Sequence, residues 1–174
     1  MNFVTKRFYP TRFADSVYEI DFEGLYRDGY RGILFDIDNT LVPHGKPADE
    51  RAIELFQKLH RIGFHTYLIS NNGKTRVESF AAQVGSDYIF GAFKPSRKNY
   101  RLAMKEMGTD LDNTILIGDQ LFTDIWGANR TGVKSILVEP IQETEEIQIV
   151  WKRKLERRLI PREVKKRAED KPSN

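Results

Sequence analysis

Short apolar runs recur along the chain at Gly32–Phe35, Thr66–Ile69, Tyr88–Phe90, Thr114–Ile117 and Lys134–Val138. They are rich in β-branched and aromatic residues and largely lack polar alternation, the pattern of strands buried on both faces of a parallel sheet. Between them the period changes. Ala52, Leu55, Phe56 and Leu59 fall at helical spacing within Pro47–Arg61, and Lys74–Val84, Ser96–Met107 and Leu121–Arg130 carry shorter versions of the same pattern. Gly63, Gly85, Gly108 and Gly132 each follow one of these segments, where a left-handed C-terminal cap is expected. Regular alternation of strand and helix predicts an α/β fold, a doubly wound parallel sheet in a Rossmann-like three-layer sandwich. There is no internal repeat and no low-complexity tract.

A length of 174 residues suits one domain with short extensions. The expected organisation is an N-terminal segment over residues 1–30, a core over 31–141 and a C-terminal tail over 142–174. The first segment is unusually aromatic, with Phe3, Phe8, Tyr9, Phe13, Tyr18, Phe22, Tyr26 and Tyr30, and packing on the core is its expected use. Without a cysteine the chain has no disulfide framework, thiolate nucleophile or cysteine-held metal. The first residues lack the apolar core of a secretory signal, and nothing approaches the roughly 20 apolar residues of a membrane span. The expectation is a cytoplasmic protein, free or peripheral on the inner face of the membrane.

Charge changes that picture at one end. Net charge is +3, yet Trp151–Lys171 holds ten Lys or Arg against four acids, which leaves the rest at −3. Ile147, Trp151, Leu155 and Leu159 recur every four residues, while Lys152, Arg153, Lys154, Arg157 and Arg158 occupy other faces. That is the pattern of an interfacial amphipathic helix, so residues 147–167 are expected to meet an anionic membrane surface or to pack back on the domain. A tail for nucleic acid would not need the apolar stripe, so that partner is not expected.

Acidic residues follow two of the strand-like runs: Asp36 and Asp38 after Gly32–Phe35, and Asp119 and Asp124 after Thr114–Ile117. In an open α/β sheet, ligands bind outside the carboxyl ends of the strands, so folding can bring both sets to one edge. Phosphoryl transfer requires positioning of phosphorus and neutralisation of its oxygens, and each need has a candidate here. Asp36 and Asp38 suit a nucleophile and a nearby acid/base; strand geometry would point both to one face unless a turn at Ile37 redirects the second. Asp119 would complete an oxygen-rich site for Mg²⁺, and Asp124 could support the metal or orient a cation. Ser70, directly after the second run, could donate to a phosphoryl oxygen. Lys94, after the third, could offset transition-state charge. Singly these are common turn, loop and cap residues. Together they form one ordered set.

That set resembles the four motifs of the haloacid dehalogenase-like (HAD) superfamily: Asp36-Ile37-Asp38-Asn39-Thr40, Ser70, Lys94, and Gly118-Asp119 with Asp124. The resemblance implies that Asp36 attacks phosphorus to form an aspartyl-phosphate, and that Asp38 protonates the leaving group and then activates water. It further implies that Ser70 and Lys94 hold the phosphoryl oxygens, that Thr40, Asn71 and Asp124 support the phosphate site, and that Asp36, Asp38 through its carbonyl, and Asp119 bind Mg²⁺. An aspartate at position 38 is similar to the phosphatase branch.

Thr40 to Ser70 holds little beyond one helix, and Ser70 to Lys94 one helix and one strand, leaving no room for a cap domain. An open site able to accept a phosphate at the end of something large is expected. Ser70-Asn71-Asn72, Phe93-Lys94-Pro95 and the run from Gly118 to Gly132 resemble the capless subfamily IIIA, YqeG-like branch that includes phosphatidylglycerophosphate phosphatases. This resemblance implies a phosphorylated lipid headgroup as substrate. Alternatives are a phosphatase of small soluble phosphomonoesters or polynucleotide ends, and a non-catalytic scaffold binding RNA or ribosome. The intact acids at 36, 38 and 119 argue against the scaffold.

Overall fold

The computed structural model describes residues 7–142. The expected amphipathic helix with Ile147, Trp151, Leu155 and Leu159, which Pro161 should end, lies outside them, as does Phe3. Six strands form one sheet: β1 (Arg12–Ala14), β2 (Gly32–Phe35), β3 (His65–Ile69), β4 (Asp87–Ile89), β5 (Thr114–Gly118) and β6 (Lys134–Val138). All pairings are parallel, in the order β1-β6-β5-β2-β3-β4. From β2 the chain winds outward through β3 and β4, then returns to the other side of β2 with β5. The order therefore reverses between β2 and β5, where a doubly wound sheet opens a crevice at its carboxyl edge.

Adjacent residues on these strands serve opposite layers, which explains their unbroken apolar runs. Ile33, Phe35, Leu68, Ile115 and Ile117 pack with Phe56 and Leu59 of α2 (Glu50–Ile62) and Val77 and Phe80 of α3 (Lys74–Val84). Leu34, Tyr67, Ile69 and Leu116 face Tyr100, Ala103 and Met104 of α4 (Arg97–Met107) and Ala128 of α5 (Trp126–Thr131). The expected start of the second helix at Pro47 moves to Glu50 because Asp49 is the N-cap, accepting from the Ala52 N–H at 2.8 Å. All four predicted glycines end their helices in the left-handed conformation.

The N-terminal segment adds elements that the periodicity did not announce. β1 pairs with β6 at the sheet's edge, and α1 (Phe22–Arg27) buries Phe22 and Leu25 in the first layer. Phe22 and Tyr26 set their rings edge-on to Phe64, at 6.5 and 5.3 Å, and the Tyr18 hydroxyl donates to the Leu41 carbonyl at 2.6 Å. At the other end of the segment Phe8 meets Phe122 at 5.0 Å and Trp126 at 5.6 Å. The segment thereby supports the turns after both β2 and β5.

Candidate active site

Strand register places the two acidic clusters side by side. Phe35 pairs with Ile117, and the Asp36 N–H donates to the Ile117 carbonyl at 3.0 Å, so Asp36 leaves the sheet beside Gly118 and Asp119. The chain then turns sharply: the N–H groups of Thr40 and Leu41 both reach the Ile37 carbonyl, and Asn39 adopts a left-handed φ of 64°. This turn separates the two carboxylates that strand geometry alone would have kept on one face. Asp38 accepts from the Gly45 N–H at 2.6 Å, from Arg76 Nη2 at 3.1 Å and from Asn72 Nδ2, with His44 Nδ1 4.0 Å away. Asp36 instead accepts from Lys94.

Lys94 Nζ lies 2.6 Å from Asp36 Oδ1 and 2.7 Å from Asp124 Oδ1, in a buried network. Burial pushes the Asp36 carboxyl up to about 6; the Lys94 ammonium pulls the other way, while Asp124 and then Asp38 add repulsion. Burial alone would lower the Lys94 amine, but Asp124 and Asp36 outweigh it and hold the ammonium above its ordinary range. Lys94 is thus a fixed cation between two acids.

Asp124 reaches this position from a π-helical turn, Leu121–Ile125, in which the Ile125 N–H reaches back to the Gln120 carbonyl. The expected single helix over Leu121–Arg130 is therefore a π turn followed by α5. The wider turn directs Asp124 back under the end of β5, where its Oδ2 accepts from the Gln120 N–H at 3.1 Å. Gly118 is required by this approach: a Cβ there would stand 2.6 Å from the Asp124 carboxyl. Thr40 Oγ1 donates to Asp119 Oδ1 at 3.2 Å, tying the first loop to the end of β5.

The loops after β3 and β4 are stitched together. Ala92 N–H donates to the Ser70 carbonyl at 2.9 Å, Gly91 N–H to the Asn72 carbonyl at 2.9 Å, and Lys94 N–H to Asn71 Oδ1 at 2.7 Å. Ser70 Oγ accepts from the Asn72 N–H at 3.2 Å, which leaves its own O–H as a donor. Asn71 therefore positions Lys94 through the backbone.

Oxygens of Asp36, Asp119 and Asp124 lie within 4.8 Å of one another, all three residues buried. Hard carboxylate oxygens are the donor set that Mg²⁺ prefers. Three acids against the one ammonium of Lys94 give a net charge that a divalent cation would offset, so these residues fit such an ion. The Asp38 side chain is not in this cluster; only its backbone carbonyl remains as the expected ligand atom.

Sequence reasoning did not find Arg76, His44, Gln120 or Tyr100. Tyr100 is fully buried beneath the site and donates to the Thr123 carbonyl at 3.1 Å. Arg76 carried one legible signal, a base in the first turn of a helix that has no acid there.

Comparison with known proteins follows the same lines. A HAD-hydrolase-like family model matches residues 91–146. The chain is 35% identical over 156 residues to "Probable phosphatase YqeG" of Bacillus subtilis, covering 89% of this chain and 91% of that protein. It is 30% identical over 164 residues to phosphatidylglycerophosphate phosphatase 1 (chloroplastic/mitochondrial) of Arabidopsis thaliana, covering 84% of this chain and 45% of that one. Among solved structures, a Legionella pneumophila protein assigned to HAD subfamily III A superposes with a TM-score of 0.53 at 19% identity, over 75% of this chain and 74% of that one. The cobalt-bound deoxy-D-mannose-octulosonate 8-phosphate phosphatase of Haemophilus influenzae gives 0.50 at 16% identity, over 65% and 80%. These two show the fold. With the Bacillus relative matched along about nine-tenths of both chains, the protein belongs to the HAD-like phosphatases.

Proposed function

We propose that the protein is a Mg²⁺-dependent phosphomonoester hydrolase that works through an aspartyl-phosphate at Asp36, with phosphatidylglycerophosphate as its substrate. The observation that supports the chemistry is the placement of Lys94 between Asp36 and Asp124, with Asp38 held apart by Asn72, Arg76 and Gly45. One carboxylate oxygen of Asp36 attacks phosphorus as the bond to the leaving alkoxide breaks, and Asp38 supplies the proton that alkoxide takes up. Asp38 then accepts a proton from the water that attacks phosphorus, releasing phosphate and restoring the Asp36 carboxylate. Lys94 and the Ser70 O–H stabilise the equatorial oxygens. Asp36, Asp119 and the Asp38 carbonyl would hold Mg²⁺, which supplies further charge neutralisation at phosphorus when bound. Asp124 fixes Lys94, and Thr40 fixes Asp119.

The lipid substrate is supported by the Arabidopsis relative's name and by the absence of any inserted domain over the site among the described residues. No helix among those residues is long and apolar enough to cross a membrane; a peripheral encounter with the lipid at the cytoplasmic face is part of the proposal. The basic, apolar-striped sequence of residues 147–167 supports the same reading. The test is a substrate panel with and without Mg²⁺: phosphatidylglycerophosphate in mixed micelles beside soluble sugar phosphates and 5′- or 3′-phosphorylated oligonucleotides. Turnover should favour the lipid and vanish with chelator. Preference for a soluble phosphate would overturn the lipid assignment, and full turnover in chelator would overturn the metal.

A further inference from the structure

We infer that the catalytic edge of the sheet is itself a membrane-docking surface, with Phe90 and Phe93 entering the interface of an anionic bilayer and Lys74, Arg97 and Lys98 contacting its headgroups. The inference rests on the lipid reading above and adds the orientation in which the enzyme meets its substrate.

Phe93 is 82% exposed, and it holds a left-handed φ of 49° immediately before Lys94. A bulky residue rarely occupies that region, and an exposed phenyl ring gains nothing from the fold that would offset the strain. Phe90, in the same loop after β4, is 45% exposed. The loop is fixed rather than adaptable, since Gly91, Ala92 and Lys94 are each hydrogen bonded to the loop after β3, and Asn99 Nδ2 donates to the Ala92 carbonyl at 2.8 Å. The two rings therefore stand at a defined place beside the Asp36–Lys94 network.

The exposed charge on the two loops and the helix starts that follow them has one sign: residues 70–76 and 90–100 contain no acid, and while Arg76 and Lys94 are paired with acids of the site, Lys74, Arg97 and Lys98 are not part of that network. Lys74, Arg97 and Lys98 are exposed in the first turns of α3 and α4, helices that have no acid in the first turn and no side-chain cap. A helix N-terminus is the positive end of the macrodipole, so bases there oppose the fold's own preference. Two aromatic rings ringed by bases placed against local stability are complementary to one surface in particular, an anionic lipid interface, where apolar insertion and charge attraction act together. Docked this way, the bilayer would face the open end of the site, and a headgroup phosphate would reach Asp36 without leaving the membrane.

The test uses the full chain and vesicles of phosphatidylcholine alone or with phosphatidylglycerol. Two double variants are compared with the wild type: Phe90→Ser with Phe93→Asn, the asparagine tolerating left-handed backbone, and Arg97→Glu with Lys98→Glu. Each should weaken co-sedimentation with the anionic vesicles on the order of tenfold or more, and lower turnover of vesicle-borne phosphatidylglycerophosphate. Hydrolysis of soluble para-nitrophenyl phosphate and thermal midpoint should stay within about twofold and a few degrees of wild type. Unchanged vesicle binding and lipid turnover in both variants would overturn the inference, as would a change confined to self-association by sedimentation velocity, which would make the edge an interface between copies. If the wild type binds anionic vesicles through this edge but hydrolyses only soluble phosphates, docking stands and the substrate assignment falls.

Discussion

Asp36→Asn should make the metal-free protein more stable at neutral pH while abolishing turnover. Asp36 is buried at the sheet edge, and its carboxyl is raised from 3.8 to about 6 even with Lys94 in contact. A folded-state value above the unfolded one means that the native state binds this proton more tightly. The corresponding stability is fully present below 3.8 and is lost as pH rises through about 6. At 1.36 kcal/mol for each tenfold change, ionised Asp36 then costs the fold about 3 kcal/mol at pH 7.5. An asparagine does not ionise, and it leaves Lys94 paired with Asp124. Urea unfolding in chelator should therefore show the variant ahead of wild type by up to about 3 kcal/mol at pH 7.5, with equal m-values and a gap that closes as pH falls toward 4. Mg²⁺ at 1,000 times its Kd should reverse the order, because it adds about 4.1 kcal/mol to a native state that keeps all its ligands. A variant no more stable than wild type in chelator, with no pH dependence in the difference, would show that the Lys94 pairing outweighs burial and refute the reasoning.

Removing Lys94 should do the opposite: Lys94→Met leaves Asp36 and Asp124 facing each other without their base, a loss on the order of 3–5 kcal/mol by urea unfolding at pH 7.5. Adding Asp36→Asn should recover part of it. Gly118→Ala would put a Cβ 2.6 Å from the Asp124 carboxyl, so this single methyl should cost about 1–3 kcal/mol. Because it displaces the side chain that fixes Lys94, turnover should fall further than stability accounts for, which saturation kinetics on folded enzyme would check. In α5, Gly127→Ala would drive a Cβ into the buried Tyr100 hydroxyl, and a drop of about 1–3 kcal/mol in thermal or urea unfolding is expected with kcat less affected.

β2, β3, β5 and β6 could be read from sequence because a strand largely buried on both faces leaves an unbroken apolar run, β4 at the half-exposed outer edge only because Tyr88–Phe90 happens to be apolar, and α2 to α4 because each carries a 3.6-residue stripe ended by a glycine. β1 left no such mark: Arg12–Ala14 is three residues long, on the sheet's edge and partly exposed, so nothing in its side chains had to be apolar. The π turn at Leu121–Ile125 was equally silent, since a single wide turn barely shifts the spacing of apolar residues over ten positions. Asp36, Ser70, Lys94, Asp119 and Asp124 could be grouped because each follows a strand, and parallel strands deliver such residues to one edge. Arg76 and His44 could not be, because their meeting with Asp38 depends on where the turn at Ile37 sends that carboxylate. The separation of Asp36 from Asp38 was left open by strand geometry for the same reason.

The central claim is that Asp36 becomes phosphorylated during turnover. Rapid acid quench of enzyme with labelled substrate and Mg²⁺, followed by peptide mass spectrometry, tests it most directly, with Asp38→Asn as a second sample in which breakdown of the intermediate is slowed. The peptide containing Asp36 should carry the phosphate, at higher occupancy in the Asp38→Asn sample, and none should be found in Asp36→Asn. Product formation in a single turnover with no protein-bound phosphate in either sample, or with phosphate on a residue other than Asp36, would contradict it.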